Sequence, residues 1–239
     1  MNEKEILSNN QKNFYFIALI GFIKSLMILS AILDIEFVSN TYKTKRDKLT
    51  FGKHEFFFFT NISLFYTIFC VISGILKHQI GFFKEIYIFS LATAFILEIL
   101  VVVMFWPLFI ASPSLVKAYI PSGIPKTKLY IKEFPKHLFP LLILLIELQG
   151  ITIEKRWSHR IFFIIFSIAY FFINEILIAY ENLYLYPFFR KLGIYGRGIL
   201  FLTVLIGCIS LYEVSIHTMP CISKAIIRKN NAKDIPLFE

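Results

Sequence analysis

The apolar run at 56–76 constrains this chain more than any other stretch. A hydrocarbon core about 30 Å thick is crossed by roughly 20 residues of helix, and this run has that length. Five more apolar runs follow the same pattern, at 14–33, 86–110, 134–153, 161–179 and 199–216. Backbone groups inside a bilayer must pair within their own segment or a closed barrel, and runs of this length satisfy that as helices. The expected fold is therefore all-α. It is a polytopic membrane protein with about six transmembrane helices in one bundle, a single integral-membrane domain over 1–239. The first run is longer than the apolar part of a signal peptide, so it reads as a retained span.

Composition agrees. Hydrophobic residues make up 57% of the chain, with 28 Phe, above the roughly 45–50% of soluble domains. The net charge of +9 comes from Lys and Arg placed mostly between the apolar runs. That placement suits anionic headgroups and argues against nucleic acid, so membrane lipids are the expected partners. With six spans, eleven basic residues fall on the side of the termini and thirteen on the other, with Lys24 inside the first run. That near balance sets no orientation. Cys70, Cys208 and Cys221 show no metal-ligand spacing and read as small apolar residues.

Two segments are less regular. The purely apolar part of the fourth run, 138–146, is too short to cross, and the full run includes His137, Glu147 and Gln149. Its composition also suits an interfacial or re-entrant segment. The connection 112–136, with Pro121, Pro125 and Pro135, is long enough for a lid or re-entrant loop. Pro107 and Pro113 are expected to punctuate the end of the third span.

Polar residues recur in stripes. In a helix Thr60, Ser63, Thr67 and Gly74 share one face of the second span. Ser167, Asn174 and Glu181 do so in the fifth, and Thr203, Ser210 and His217 in the sixth. Such stripes turn away from lipid, either to pack helices or to line a cavity. Lys24, Glu98, Glu147, Glu175 and Glu213 lie in the runs, where an ionisable residue needs a partner or a function. No discontinuous helix pair or repeated half supports an ion-coupled transporter.

Parity singles out two residues. With six spans, the second and fourth enter from the same side. Thr60 lies four residues into its run and His137 three into its own, so their depths differ by about 1.5 Å. A hydroxyl and an imidazole at one depth are the minimum for nucleophilic acyl transfer. Thr60 is the candidate nucleophile and His137 the candidate base. Ser63 is the rival hydroxyl, but it lies about 4.5 Å deeper. Glu147 is ten residues beyond His137, about 15 Å along a helix, and is expected to support the bundle. Asp34 is a candidate to orient the histidine. This chemistry requires no metal or organic cofactor, and no GxSxG elbow or phosphate loop is present.

Several pieces, in order, resemble the androgen-induced-gene family, which includes the androgen-dependent tissue-factor-pathway-inhibitor-regulating protein. They are Thr50-Phe51-Gly52-Lys53 followed by aromatic residues and Thr60, then His137 with the apolar stretch through Pro140 to Glu147. Tyr184-Leu185-Tyr186-Pro187-Phe188-Phe189 and Gly196-Arg197 follow. The resemblance implies a multi-span membrane threonine hydrolase with Thr60 as nucleophile and His137 as catalytic histidine. Its substrate would be a lipid ester, a fatty acid ester of a hydroxy fatty acid, and its location the endoplasmic reticulum or a connected membrane. The alternative is a non-catalytic lipid-binding or transport protein using the same polar cavity.

Overall fold

A computed structural model describes residues 55–117, 125–148, 151 and 153–233. The first expected span, with Lys24 and Asp34, lies outside these residues. Among the described residues are five α-helices and no strand. They are α1 (Phe59–Leu76), α2 (Phe82–Ala111), α3 (Lys126–Glu147), α4 (Trp157–Glu181) and α5 (Ile194–Lys233). Four of them, α1, α2, α4 and α5, are long and apolar enough to cross a membrane.

α2 is the central helix. Of its most apolar window 67% is buried, against 17% for α5. Its buried face carries Leu91, Ala92, Ala94, Ile96 and Leu97, against which α1 and the other helices pack. The outer faces of α4 and α5 carry exposed Ile165, Phe172, Ile199 and Leu202, as expected of lipid-facing helices. Glu98, fully buried in α2, accepts hydrogen bonds from Ser63 Oγ at 2.8 Å and Thr67 Oγ1 at 3.0 Å. Two members of the α1 polar stripe therefore tie α1 to α2.

Two boundaries differ from expectation. Pro107 lies inside α2, which continues to Ala111. Proline removes one N–H donor, and a helix packed among neighbours accommodates that loss. The fourth run is displaced: α3 begins at Lys126, within the segment expected to be a long connection, and ends at Glu147. Its first half holds Lys126, Lys128, Lys132, Glu133 and Lys136, which explains why α3 is not among the four candidate spans. Charges that suggested a loop instead make an amphipathic helical half.

α4 stops at Asn182, which takes a left-handed conformation with φ 50°. Asparagine tolerates this better than most side chains. The chain then turns back through a short 3-10 helix, Pro187–Lys191, before α5. Arg197 of α5 fixes this return. Its Nε and Nη2 donate to the two Glu175 oxygens at 2.6 and 2.7 Å, and its Nη1 to the Leu192 carbonyl at 2.6 Å. The fork matches the carboxylate and holds α4, α5 and their connection together.

Candidate active site

Thr60 is the second residue of α1, at the end of the bundle where α2 and α4 finish. Phe58, at the N-cap position, gives the helix no side-chain cap. The Asn61 and Ile62 N–H groups donate to the Phe58 carbonyl at 2.9 and 3.0 Å. The Phe59 N–H instead donates to the Tyr186 hydroxyl oxygen at 3.1 Å. That oxygen also lies close to the backbone and hydroxyl of Thr60. Tyr186 therefore occupies the place where helix-terminal N–H groups look for an acceptor. Burial pushes its hydroxyl up to about 12, opposed by the Phe59 N–H, so it keeps its proton.

Thr60 faces a narrow cavity of about 60 Å³ among α1, α2, α4 and α5. Most of its lining is aromatic or aliphatic, with Phe105, Phe166, Phe189 and Phe201 prominent. Thr60, Ser167, Tyr170 and Tyr186 bring hydroxyls to the wall. Tyr170 is only 6% exposed, and its hydroxyl sits beside the Tyr186 hydroxyl, the Asn174 side chain and the Phe59 backbone, so the two tyrosines make one polar cluster at this end of the cavity. Ser63 does not line the cavity; it is turned toward Glu98.

His137 lies on α3, buried at 4% exposure. Its Nε2 is 3.3 Å from Glu133 Oε2, one helical turn earlier. Glu133 in turn pairs with Lys117. Burial acts to raise the Glu133 carboxyl, but the His137 hydrogen bond and the Lys117 ammonium outweigh it and hold the carboxyl down to about 2. An ionised Glu133 makes Nε2 the protonated nitrogen and leaves the lone pair on Nδ1. Nδ1 is buried and has no partner. The Phe105 ring stacks on the imidazole with centroids 3.4 Å apart and planes 8° apart.

Thr60 and His137 are thus at the same end of the bundle but are not hydrogen-bonded to one another. The histidine lies behind Phe105, whose ring also forms part of the cavity wall. Glu147 is engaged elsewhere, accepting from the Tyr87 hydroxyl at 2.7 Å on α2.

The family model for the FAR-17a/AIG1-like protein matches residues 20–217. The chain belongs to that family. No curated protein and no solved structure matches it individually. The FAR-17a/AIG1-like match takes in Thr60, His137, Tyr170 and Tyr186 together, and so covers the whole wall on which the hydroxyls meet. It also spans all four candidate membrane helices to residue 217.

Three residues around this cavity and His137 have no role in the reading of the sequence above. Glu133 stands four residues before His137, a spacing that places both on one helix face. Drawing the span from residue 134 cut that pair apart. Tyr170 follows Ser167 by three residues and so shares its stripe. Tyr186 belongs to the turn quoted for the resemblance. Only the fold shows that this turn comes back to the start of α1.

Proposed function

We propose that this protein is a membrane-embedded hydrolase of lipid esters, with fatty acid esters of hydroxy fatty acids as its substrates. Thr60 is the nucleophile and His137 the base. The observation that carries this reading is the Thr60 hydroxyl on the wall of an apolar cavity, beside the N–H groups of the α1 terminus and the Tyr186 hydroxyl. Membership of the family supports it.

In this mechanism an entering chain turns Phe105 aside, which uncovers the Nδ1 lone pair of His137. Nδ1 takes the Thr60 proton as the threonine oxygen bonds to the ester carbonyl carbon. The carbonyl oxygen becomes an oxyanion, held by the Tyr186 hydroxyl as an oxyanion donor, while the Phe59 N–H behind that hydroxyl polarises it. The imidazolium, steadied by Glu133, protonates the departing alkoxide, and the hydroxy acid leaves. Water, giving its proton to His137, then attacks the acyl-threonine and releases the fatty acid with the threonine restored. The 14–33 run and α3 complete six crossings in this reading, and the endoplasmic reticulum or a connected membrane is the location.

The test is release of free acid from such an ester by the purified, reconstituted chain. Thr60→Ala and His137→Ala, each correctly inserted, should abolish it. Lipid that binds and is never cleaved by the native protein would instead mark a non-catalytic lipid-binding protein.

A further inference from the structure

A groove of about 230 Å³ runs along the outer surface between α4 and α5, lined by Ile168, Phe172, Gly198 and Leu202 among others. Ile168, Phe172 and Leu202 are exposed apolar residues on the two helices that bury the least of their apolar windows. Both helices are long and apolar enough to cross a membrane, so this surface faces lipid chains. The groove and the Thr60 cavity share two wall residues, Ser167 and Phe201. One layer of side chains therefore separates the bilayer from the cavity.

Phe201 is the larger part of that layer. It is 8% exposed and is held by ring contacts to Tyr170, Phe171 and Phe189, with centroids 5.7, 5.3 and 6.1 Å away. None of these is a hydrogen bond, so a change of rotamer swings the ring without stranding a polar group. One turn before Phe201 on the same helix is Gly198, where an added Cβ would meet nothing within 4 Å. The groove is open at this point because Gly198 carries no side chain.

We propose that this groove is a lateral portal, occupied by one hydrocarbon chain of a bilayer lipid, with Phe201 as its door. The occupant follows from the surroundings: lipid chains are what covers an apolar face at this depth. It also follows from continuity with the cavity, whose polar end at Thr60, Tyr170 and Tyr186 would receive the polar part of the same molecule. The proposal rests on the cavity being the lipid site, and it adds the route by which the lipid arrives.

The test needs no catalysis. The full chain is reconstituted in phosphatidylcholine vesicles holding a trace of a fatty acid with a diazirine in mid-chain, irradiated, and its adducts are mapped. Adducts are expected in the groove, at Phe172 or Leu202, and in the cavity beyond the door, at Met104 or Val204. Gly198→Leu fills the groove where space is open, and leucine is the better helix former. It should lower cavity adducts by roughly tenfold, the scale on which an apolar pocket discriminates by a methylene or two. Adducts at the lipid-facing Ile165 should not change, which reports proper insertion. Phe201→Ala should raise cavity adducts.

Cavity labelling that stays at the native level in Gly198→Leu overturns the portal, as does a native cavity that takes no label. Portal-dependent labelling in a protein that cleaves no ester leaves the portal standing and removes the hydrolase. Ester cleavage with the same kcat/KM in native and Gly198→Leu protein, with unchanged labelling, does the reverse.

Discussion

Thr60 and Ser63 stand less than one helical turn apart on α1, yet they face different neighbours. Ser63 donates into the interior to Glu98, and Thr60 looks into the cavity. Ser63→Ala should therefore cost stability, about 1–3 kcal/mol for weakening the satisfaction of a buried carboxylate, and leave ester cleavage largely intact. A melting curve beside a turnover assay checks both halves. Tyr186→Phe removes the hydroxyl but keeps the ring. It should lower kcat by about 10²–10³, the loss typical of one oxyanion donor, with little change in KM. Equal losses in binding and turnover would reduce Tyr186 to a packing residue. Glu133 gives the acid limb of stability. Its carboxyl is held below its ordinary value in the fold, so its contribution is full above the unfolded value of about 4.3 and is lost as pH falls toward 2. Unfolding followed between pH 5 and 2 should show Glu133→Gln with a flatter acid dependence than the native protein. The depth match that singled out Thr60 and His137 counts from residues 56 and 134, whereas α1 starts at Phe59 and α3 at Lys126, so Thr60 is the second residue of its helix and His137 the twelfth of its own. Phe105 was not legible either, because stacking of an α2 ring on an α3 imidazole depends on helix rotation, which counting leaves open.

At the scale of elements, α1 and α2 make their closest approach beside one small residue. A Cβ on Gly74 would lie 2.7 Å from Tyr87 Cε2. Tyr87 is also the donor to Glu147 of α3 and lies under the Lys77 ammonium at 3.7 Å. Gly74→Ala should push this ring away, loosen α3, and destabilise the bundle by about 1–3 kcal/mol, as overpacking does. Native-like thermal stability of this variant would show that the ring has room to move. The stripe of Thr60, Ser63, Thr67 and Gly74 was readable as a packing face from its spacing alone. Its partners, Glu98 and Tyr87, sit on α2, and only the fold pairs them. The start of α3 was misread for a physical reason: five charges in eleven residues, with prolines, look like a solvated loop. A helix with one such half at a membrane boundary carries the same composition.

For the molecule as a whole, the four glutamates of the apolar runs prove to be fasteners. Glu98 joins α1 to α2, Glu147 joins α3 to α2, and Glu175 joins α4 to α5. Glu213 pairs with Arg160 and Lys155 at the opposite end of the bundle from Thr60. The all-helical character and the four helices long and apolar enough to cross were legible, because apolar run length is dictated by the bilayer. The lateral groove was not, since a glycine and a few exposed apolar residues in a span carry no pattern of their own. α5 has one further consequence. It is 40 residues long, or about 60 Å, twice the thickness of the hydrocarbon. Its apolar portion ends at Thr218. Held upright, the fifteen residues from 219 to 233 reach about 22 Å further. Electrostatic attraction in physiological salt fades over about 8 Å. The tip of the helix is then beyond the reach of headgroup charge, and the helix becomes a mast that stands in the aqueous phase. A fluorophore at position 233 should stay bright when quenchers are confined to the lipid headgroups; strong quenching would mean that the mast lies down.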